Sequence, residues 1–213
     1  MNFKNFLEHT HNNNEGKKKI QKKQISYQKI IPKLPPQKNI LSSQCLLIDS
    51  RHRNKNMFPN TNHFAISFNP DPSNIGGSIN TNIKNIIKIN IENIVLPTVA
   101  LDHPYIILKI DEINNKHLFS SDGFSDDAFA ILIPKKFTPG ASWVNCHIQH
   151  KCQTFKTPLA NLKKLTIRFY DPNRNLMDFG ADHVDTIKNE VQTMIMLNVE
   201  YYERDNGFKS QLI

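Results

Sequence analysis

Residues 191–203 read VQTMIMLNVEYYE. Taken at period two, Val191, Thr193, Ile195, Leu197, Val199 and Tyr201 fall on one face, and Met194, Met196, Asn198, Glu200 and Tyr202 fall on the other. Alternate residues of a strand point to opposite sides of a sheet, whereas a 3.6-residue helical period would scatter both sets around the axis. The stretch therefore predicts one long β-strand with an apolar inner face. Working outward, Ile87, Ile89 and Ile91 alternate with Lys88, Asn90 and Glu92, after which Asn93 breaks step and Ile94 and Leu96 take the opposite parity. A β-bulge near Glu92 and Asn93 restores a common inward face.

Six more runs carry the same signature of β-branched and aromatic residues between Asn, Asp, Pro and Ser clusters. They are Cys45 to Asp49; His63 to Phe68, with Phe64, Ile66 and Phe68 on one face; Tyr105 to Asp111, with Ile106, Leu108 and Ile110; Ala128 to Pro134, with Phe129, Ile131 and Ile133 inward; Trp143 to His150; and Lys164 to Asp171, with Leu165, Ile167 and Phe169 inward. No segment of helical length has a 3.6 period, so the fold class is all-β, and short helical turns are expected only near Pro158 to Leu162 or Asp182 to Lys188. Eight strands without βα alternation leave a sandwich or a barrel. Connections of about 8 to about 20 residues suit Greek-key crossovers better than an up-and-down barrel, which predicts an eight-stranded single jelly-roll sandwich. An immunoglobulin-like sandwich is the alternative, although the spacing of the cysteines and Trp143 does not fit it. The first and last strands are then antiparallel neighbours, and Phe64, Phe68, Ile89, Ile131, Ile167, Phe169 and Leu197 share the interior.

The 213 residues carry a formal charge of +8. Isoleucine and asparagine together make up about a quarter of them, which suits an apolar core with polar loops. Residues 1–40 hold nine Lys and two Glu, hence +7 of the +8, so the basicity belongs to an N-terminal arm and not to the body. The tract HNNNEGKKKIQKK (residues 11–23) is too polar to bury, and IIPKLPPQK (residues 30–38) is Pro-rich and extended. The organisation expected is a basic, extended arm over 1–40 and one domain over 41–213. No apolar run reaches the roughly 20 residues needed to span a bilayer, and the first residues do not read as a signal peptide. With Cys45, Cys146 and Cys152 as an odd set of three, reduced thiols and no structural disulfide are expected.

Three readings of the arm compete. It is a solubility tail, or a nucleic-acid or anionic-membrane contact through Lys17, Lys18, Lys19 and the lysines that follow, or a tether laid over neighbouring subunits. The tether reading is favoured by the apolar anchors Ile20, Ile25, Tyr27, Ile30, Ile31 and Leu34, which an electrostatic tail does not need.

Within the body, Asp49, Ser50, Arg51 and Arg53 form a turn after the first strand. The side-chain oxygens of Asp49 and Ser50 are placed to accept backbone N–H groups, while Arg51 and Arg53 pair with Asp49 or cap exposed carbonyls, so the motif fixes a corner. Elsewhere the chemistry is sparse. Cys146, His147, His150 and Cys152 lie on an extended segment, where the three on one face spread over roughly 20 Å, too far for one tetrahedral ion. Asp182, His183 and Asp185 read as a solvated loop sooner than a cation site. Gly76-Gly77 lacks the lysine and helix of a phosphate loop, and no nucleophile stands with a base at a recognisable spacing. No enzyme, metal or cofactor is expected.

The segments CLLIDSRHRNKNMFPNTNHFAISF (45–68), IKNIIKINIENIVLP (83–97), YIILKIDEI (105–113) and TPLANLKKLTIRFYDPNRNLMDF (157–179) occur in the order of a known pattern. They resemble the single jelly-roll minor capsid and penton proteins of nucleocytoplasmic large DNA viruses, the giant viruses among them. That pattern has an opening strand, an Ile-Asp-Ser-Arg-x-Arg-Asn turn, a Phe-Pro and Asn-x-Phe second strand, and a late unit before the last strand. Within the family the chain is most similar to asfarvirus-like penton subunits, where a Cys-Leu-Leu-Asp-Ser opening also follows a basic arm. Arg174 departs from it, standing where the family often has Gly. The resemblance implies a structural protein of the virion, a capsid subunit assembled in the host cytoplasm. Its implied partners are copies of itself, as a homo-pentamer, and other capsid proteins including the major capsid protein. A basic module linking the capsid to nucleic acid or an anionic inner membrane, and a lectin-type receptor-binding jelly roll using Trp143 or Tyr105, are the alternatives.

Overall fold

A computed structural model describes residues 39–69, 77–113, 118–135, 140–150, 152–183 and 185–204. Among them are ten strands and no α-helix: β1 (Asn39–Asp49), β2 (His63–Phe68), β3 (Ser78–Ile79), β4 (Lys84–Pro97), β5 (Ile106–Ile110), β6 (Ala130–Pro134), β7 (Trp143–Gln149), β8 (Cys152–Asn161), β9 (Lys164–Tyr170) and β10 (Met194–Arg204). They form one sheet in the order β1-β10-β4-β7-β6-β5-β9-β2-β3, with β8 paired to β4 beside that path. The sheet curls into a half-barrel around a single apolar core to which both halves contribute. The chain divides into two units, Met1–Pro36 and Gln37–Ile213, and the first lies outside the described residues.

The long last strand is present and explains the register of its neighbours, but it begins at Met194, because Val191 closes a 3-10 turn (Asn189–Val191) instead of opening the strand. Ile195, Leu197 and Val199 are buried, and β10 pairs antiparallel with β1 through eleven consecutive residues, from Asn39↔Arg204 to Asp49↔Met194. First and last strands are thus neighbours, as expected. On its other side β10 meets β4, where Met196 faces Asn93 and Leu197 faces Ile91. Glu92 is the extra residue, so the predicted bulge stands where the isoleucine parity changed. A second register shift, between Glu200 and Tyr201, makes Ile87 the extra residue there and turns Ile86 inward.

β4 pairs with two strands on its far side. Its upper end, Val95 to Pro97, meets β7, and its lower end, Lys84 to Asn90, meets β8. β7 then leaves β4 and continues against β6, from Pro134↔Cys146 to Ile131↔Gln149, and this carries the sheet around its bend.

Several expectations need correction. The count is ten strands and not eight, because β3 is only two residues long and β8 lacks alternating apolar residues. Residues 155 to 158, Pro158 included, fall in a register shift opposite β4, where a missing ladder donor is tolerated. The helical turn expected at Pro158 to Leu162 is therefore the end of a strand. β1 takes in Asn39 and Ile40, which sequence assigned to the arm. β6 has the opposite parity: Ala130 and Leu132 are buried opposite Leu108 and Ile106, whereas Ile131 is half-buried and Ile133 exposed. Directly opposed residues share a face, so pairing with β5 fixes which side of β6 is inner. Phe129 is buried nevertheless, because it sits at a bend before the strand, its N–H bonded to the Leu108 carbonyl.

Candidate functional site

The Asp49 to Arg53 corner is the most organised polar feature of the body. Asp49 ends β1 and caps a 3-10 turn, Ser50–His52, by accepting the Arg51 N–H at 2.9 Å. The Arg51 guanidinium folds back on the same carboxylate, with Nε at 2.8 Å from Oδ2. Partial burial alone would raise the Asp49 pKa, but the hydrogen bonds and charge of Arg51 outweigh it and hold the carboxyl below its ordinary value.

Ser50 and Arg53 turn inward. Ser50 is fully buried; its Oγ accepts the Thr193 N–H at 2.8 Å and donates to Gln192 Oε1 at 2.9 Å. Arg53 is 3% exposed, and its donors are consumed internally: Nε reaches the Phe58 carbonyl, Nη2 the Pro59 carbonyl (both 2.7 Å), and Nη1 the Ser50 carbonyl at 2.9 Å and Gln192 Oε1 at 3.2 Å. Both arginines thus do what the sequence motif implied, Arg51 pairing with Asp49 and Arg53 capping carbonyls.

Sequence did not supply the acid that balances Arg53. Asp182, expected in a solvated loop, is fully buried, with Oδ2 at 3.2 Å from Lys55 Nζ and 3.5 Å from Arg53 Nη1. Its Oδ1 accepts the Lys188 N–H at 3.0 Å, and Gln192 Nε2 donates to Oδ2 at 2.9 Å. Burial pushes its pKa up; the hydrogen bonds from Lys188 and Gln192 and the charge of Lys55 more than reverse this and leave it lowered. Burial likewise lowers the Arg53 pKa, with Asp182 offsetting part of the loss. The cluster joins the exit of β1 to the loop that enters β10. Its only sequence signal was a charged motif with no visible partner, because Arg53 and Asp182 lie 129 residues apart.

Gly77 closes the other side of this corner. Its N–H donates to the His52 carbonyl and its carbonyl accepts the Ser67 N–H, at φ +49°. A Cβ there would lie 2.9 Å from the Ala65 carbonyl oxygen and 3.4 Å from Arg53 Cα. Gly77→Ala is expected to cost at least about 1–2 kcal/mol from the left-handed backbone alone, plus the backbone contact. Urea unfolding measures it, and an unchanged midpoint would contradict this packing.

The arm residues singled out by sequence, Lys17, Lys18, Lys19, Ile20, Ile25, Tyr27, Ile30, Ile31 and Leu34, all lie outside the described residues. Among the described residues no three His, Cys, Asp or Glu side chains converge as a metal site. Cys146 points into the core and His147 away from it. Burial pushes the Cys146 thiol up to about 12, while Cys45 is exposed on β1. A thiol reagent at neutral pH is expected to label Cys45 in the folded protein and Cys146 only after unfolding; peptide mapping after labelling checks it.

Beside the corner, on the outer face of β1, β10, β4 and β7, an open groove of ≈ 330 Å³ is lined by Asp49, Arg51, Val95, Met194 and Trp143 among others. Trp143 is 46% exposed, its Nε1 donating to the Asn189 carbonyl at 3.1 Å. It covers the sheet's outer face and is not a core residue. No family model and no curated protein matches the chain.

Proposed function

We propose that the chain is a structural virion protein, a penton or minor capsid subunit built as a single jelly roll, which self-associates and uses its arm and loops to bind neighbouring capsid proteins. The observation that carries this reading is the nesting of strand pairs. If the short β3 is set aside and β7 with β8 is taken as one strand that changes partners along β4, eight strands remain. The first pairs with the eighth (β1 with β10), the second with the seventh (β2 with β9), the third with the sixth (β4 with β7 and β8) and the fourth with the fifth (β5 with β6). A ribbon folded once on itself and then rolled gives this nesting, and lateral contacts of β10 with β4 and β9 with β5 follow from the rolling. The Asp49 to Arg53 corner then has a role that needs no ligand. It locks the exit of the first strand to the entry of the last, which favours a rigid tile over a catalyst.

Such a protein works by shape and by the contacts it offers. Mass spectrometry and cryo-electron microscopy of purified particles that encode the chain are expected to find it in the shell, with five copies around each vertex if it is a penton. Absence from the particles overturns the reading. A chain lacking residues 1–36 is expected to lose incorporation while keeping its fold; full incorporation would reduce the arm to a solubility tail.

The lectin-type alternative draws on one observation, the exposed indole of Trp143 at the groove. Quenching or shift of its fluorescence by simple sugars would favour that reading, and an indifferent spectrum would remove its only support.

A further inference from the structure

We infer that the free edge of β1 is an interface for a second copy of this chain, the two β1 strands pairing antiparallel about a two-fold axis through Gln44. The inference stands on the sheet itself and rests on no part of the capsid reading.

β1 is an edge strand: among the described residues, β10 is its only partner. An unpaired edge is a template for other strands, and proteins blunt such edges with short strands, Pro, Lys or bulges. This chain does so at its other two edges. β3 has two residues, and β8 carries Lys156, Pro158 and a register shift. β1 has none of these devices. Its sequence, NILSSQCLLID, runs eleven residues in unbroken register with β10, without Pro, Lys or Arg, and its single charge, Asp49, is held by Arg51 at the end. Ile40, Leu41 and Leu47 are 44%, 58% and 57% exposed.

The phase of the ladder shows which groups are on offer. The Ser50 N–H bonds to the Thr193 carbonyl, continuing the β1–β10 register by one residue. Hydrogen-bonded pairs alternate along an antiparallel ladder, so the even-numbered residues of β1 bond to β10 and the odd ones turn their N–H and C=O outward. The outward set is Leu41, Ser43, Cys45 and Leu47. Leu41 and Leu47 lie three residues either side of Gln44. Pairing about that residue sets Leu41 opposite the second copy's Leu47, and Ser43 opposite its Cys45, all as hydrogen-bonded pairs on the outer face. On the other face Ile40 comes opposite the second copy's Ile48. Leu41 and Leu47 then each gain an exposed apolar partner, whereas Ile48 already lies in its own core. Sliding the register by one residue on each strand puts Leu41 opposite Cys45 or Asp49 and loses this match. Such a contact is isologous and closed, so it makes pairs and not rings; within an assembly it would join subunits of adjoining rings.

The test is sedimentation of the full chain against concentration, with two variants. Ser43→Pro deletes an outward N–H that β10 does not use, and Leu47→Lys leaves the backbone intact but places a charge in the apolar pair. The wild type is expected to dimerise reversibly, and each variant to weaken the dimer at least tenfold without a lower melting temperature at concentrations where the wild type is monomeric. Hydrogen exchange is expected to protect the amides of Leu41, Ser43, Cys45 and Leu47 in the dimer and to expose them in the Leu47→Lys monomer. A wild-type chain that stays monomeric overturns the proposal. So does an oligomer insensitive to both variants, and so does protection of those amides in the monomer, which would mean that another segment of the same chain occupies the edge.

Discussion

An Asp182→Asn variant is expected to lose on the order of 3–5 kcal/mol of stability, a large share of the roughly 5–15 kcal/mol that holds a typical domain together. The reason is asymmetric. With the carboxylate present, two cations sit in the interior, the side chains of Arg53 at 0% and Lys55 at 8% exposure, with one buried anion between them. The amide keeps the shape but removes the charge, and two desolvated cations are left facing each other. Arg53→Met is expected to cost less per charge removed, because Lys55 still balances Asp182, although three carbonyls lose their donor. Urea unfolding of both single variants and the double variant measures the coupling; independent effects would show that the cluster is not one unit. The acid limb gives a second reading. Because its folded pKa lies below the ordinary carboxylate value, Asp182 contributes stability that is fully present above about pH 4 and is lost as pH falls through the lowered value. In Asp182→Asn that contribution to the acid sensitivity should vanish, leaving a shallower loss of stability below pH 4.

How far these features were legible in the sequence depended on the range of the physics involved. β10 and the Glu92 bulge could be read because side-chain parity is local and one inner face must stay apolar. The Asp49 turn was equally local: Asp49, Arg51 and the 3-10 turn satisfy one another within three residues. Asp182 was not legible, since an acid in a polar loop reads the same whether solvated or buried beneath a distant arginine. β8 was hidden for a different reason. As an edge strand it is exposed along most of its length, and Lys156 and Pro158 are there to keep it from pairing, so it lacks the apolar alternation that betrays a strand. The reversed parity of β6 shows a third limit. AFAILIP offers apolar residues on both faces, and only the partner strand decides which are inner.

That last point makes core substitutions a sharper test of the fold than of stability alone. Phe169 lies in β9 between β2 and β5, fully buried, opposite Leu108, with its ring edge-on to Phe179 at 5.6 Å between centroids. Its N–H bonds to the Asn62 carbonyl and its carbonyl accepts the Met177 N–H, so the backbone is held and cannot collapse into the space a smaller side chain would leave. Phe169→Ala is therefore expected to cost about 3–5 kcal/mol, near the upper end for a core aromatic. The matched pair in β6 supplies the control. Leu132→Ala, at an inner position, is expected to cost about 2–5 kcal/mol, whereas Ile131→Ala, one residue along on the half-buried face, should cost markedly less. Thermal or urea midpoints of the three variants decide the matter. A larger loss at Ile131 than at Leu132 would mean that β6 pairs with β5 one residue out of the register described, and the curl of the sheet through β6 and β7 would then have to be redrawn.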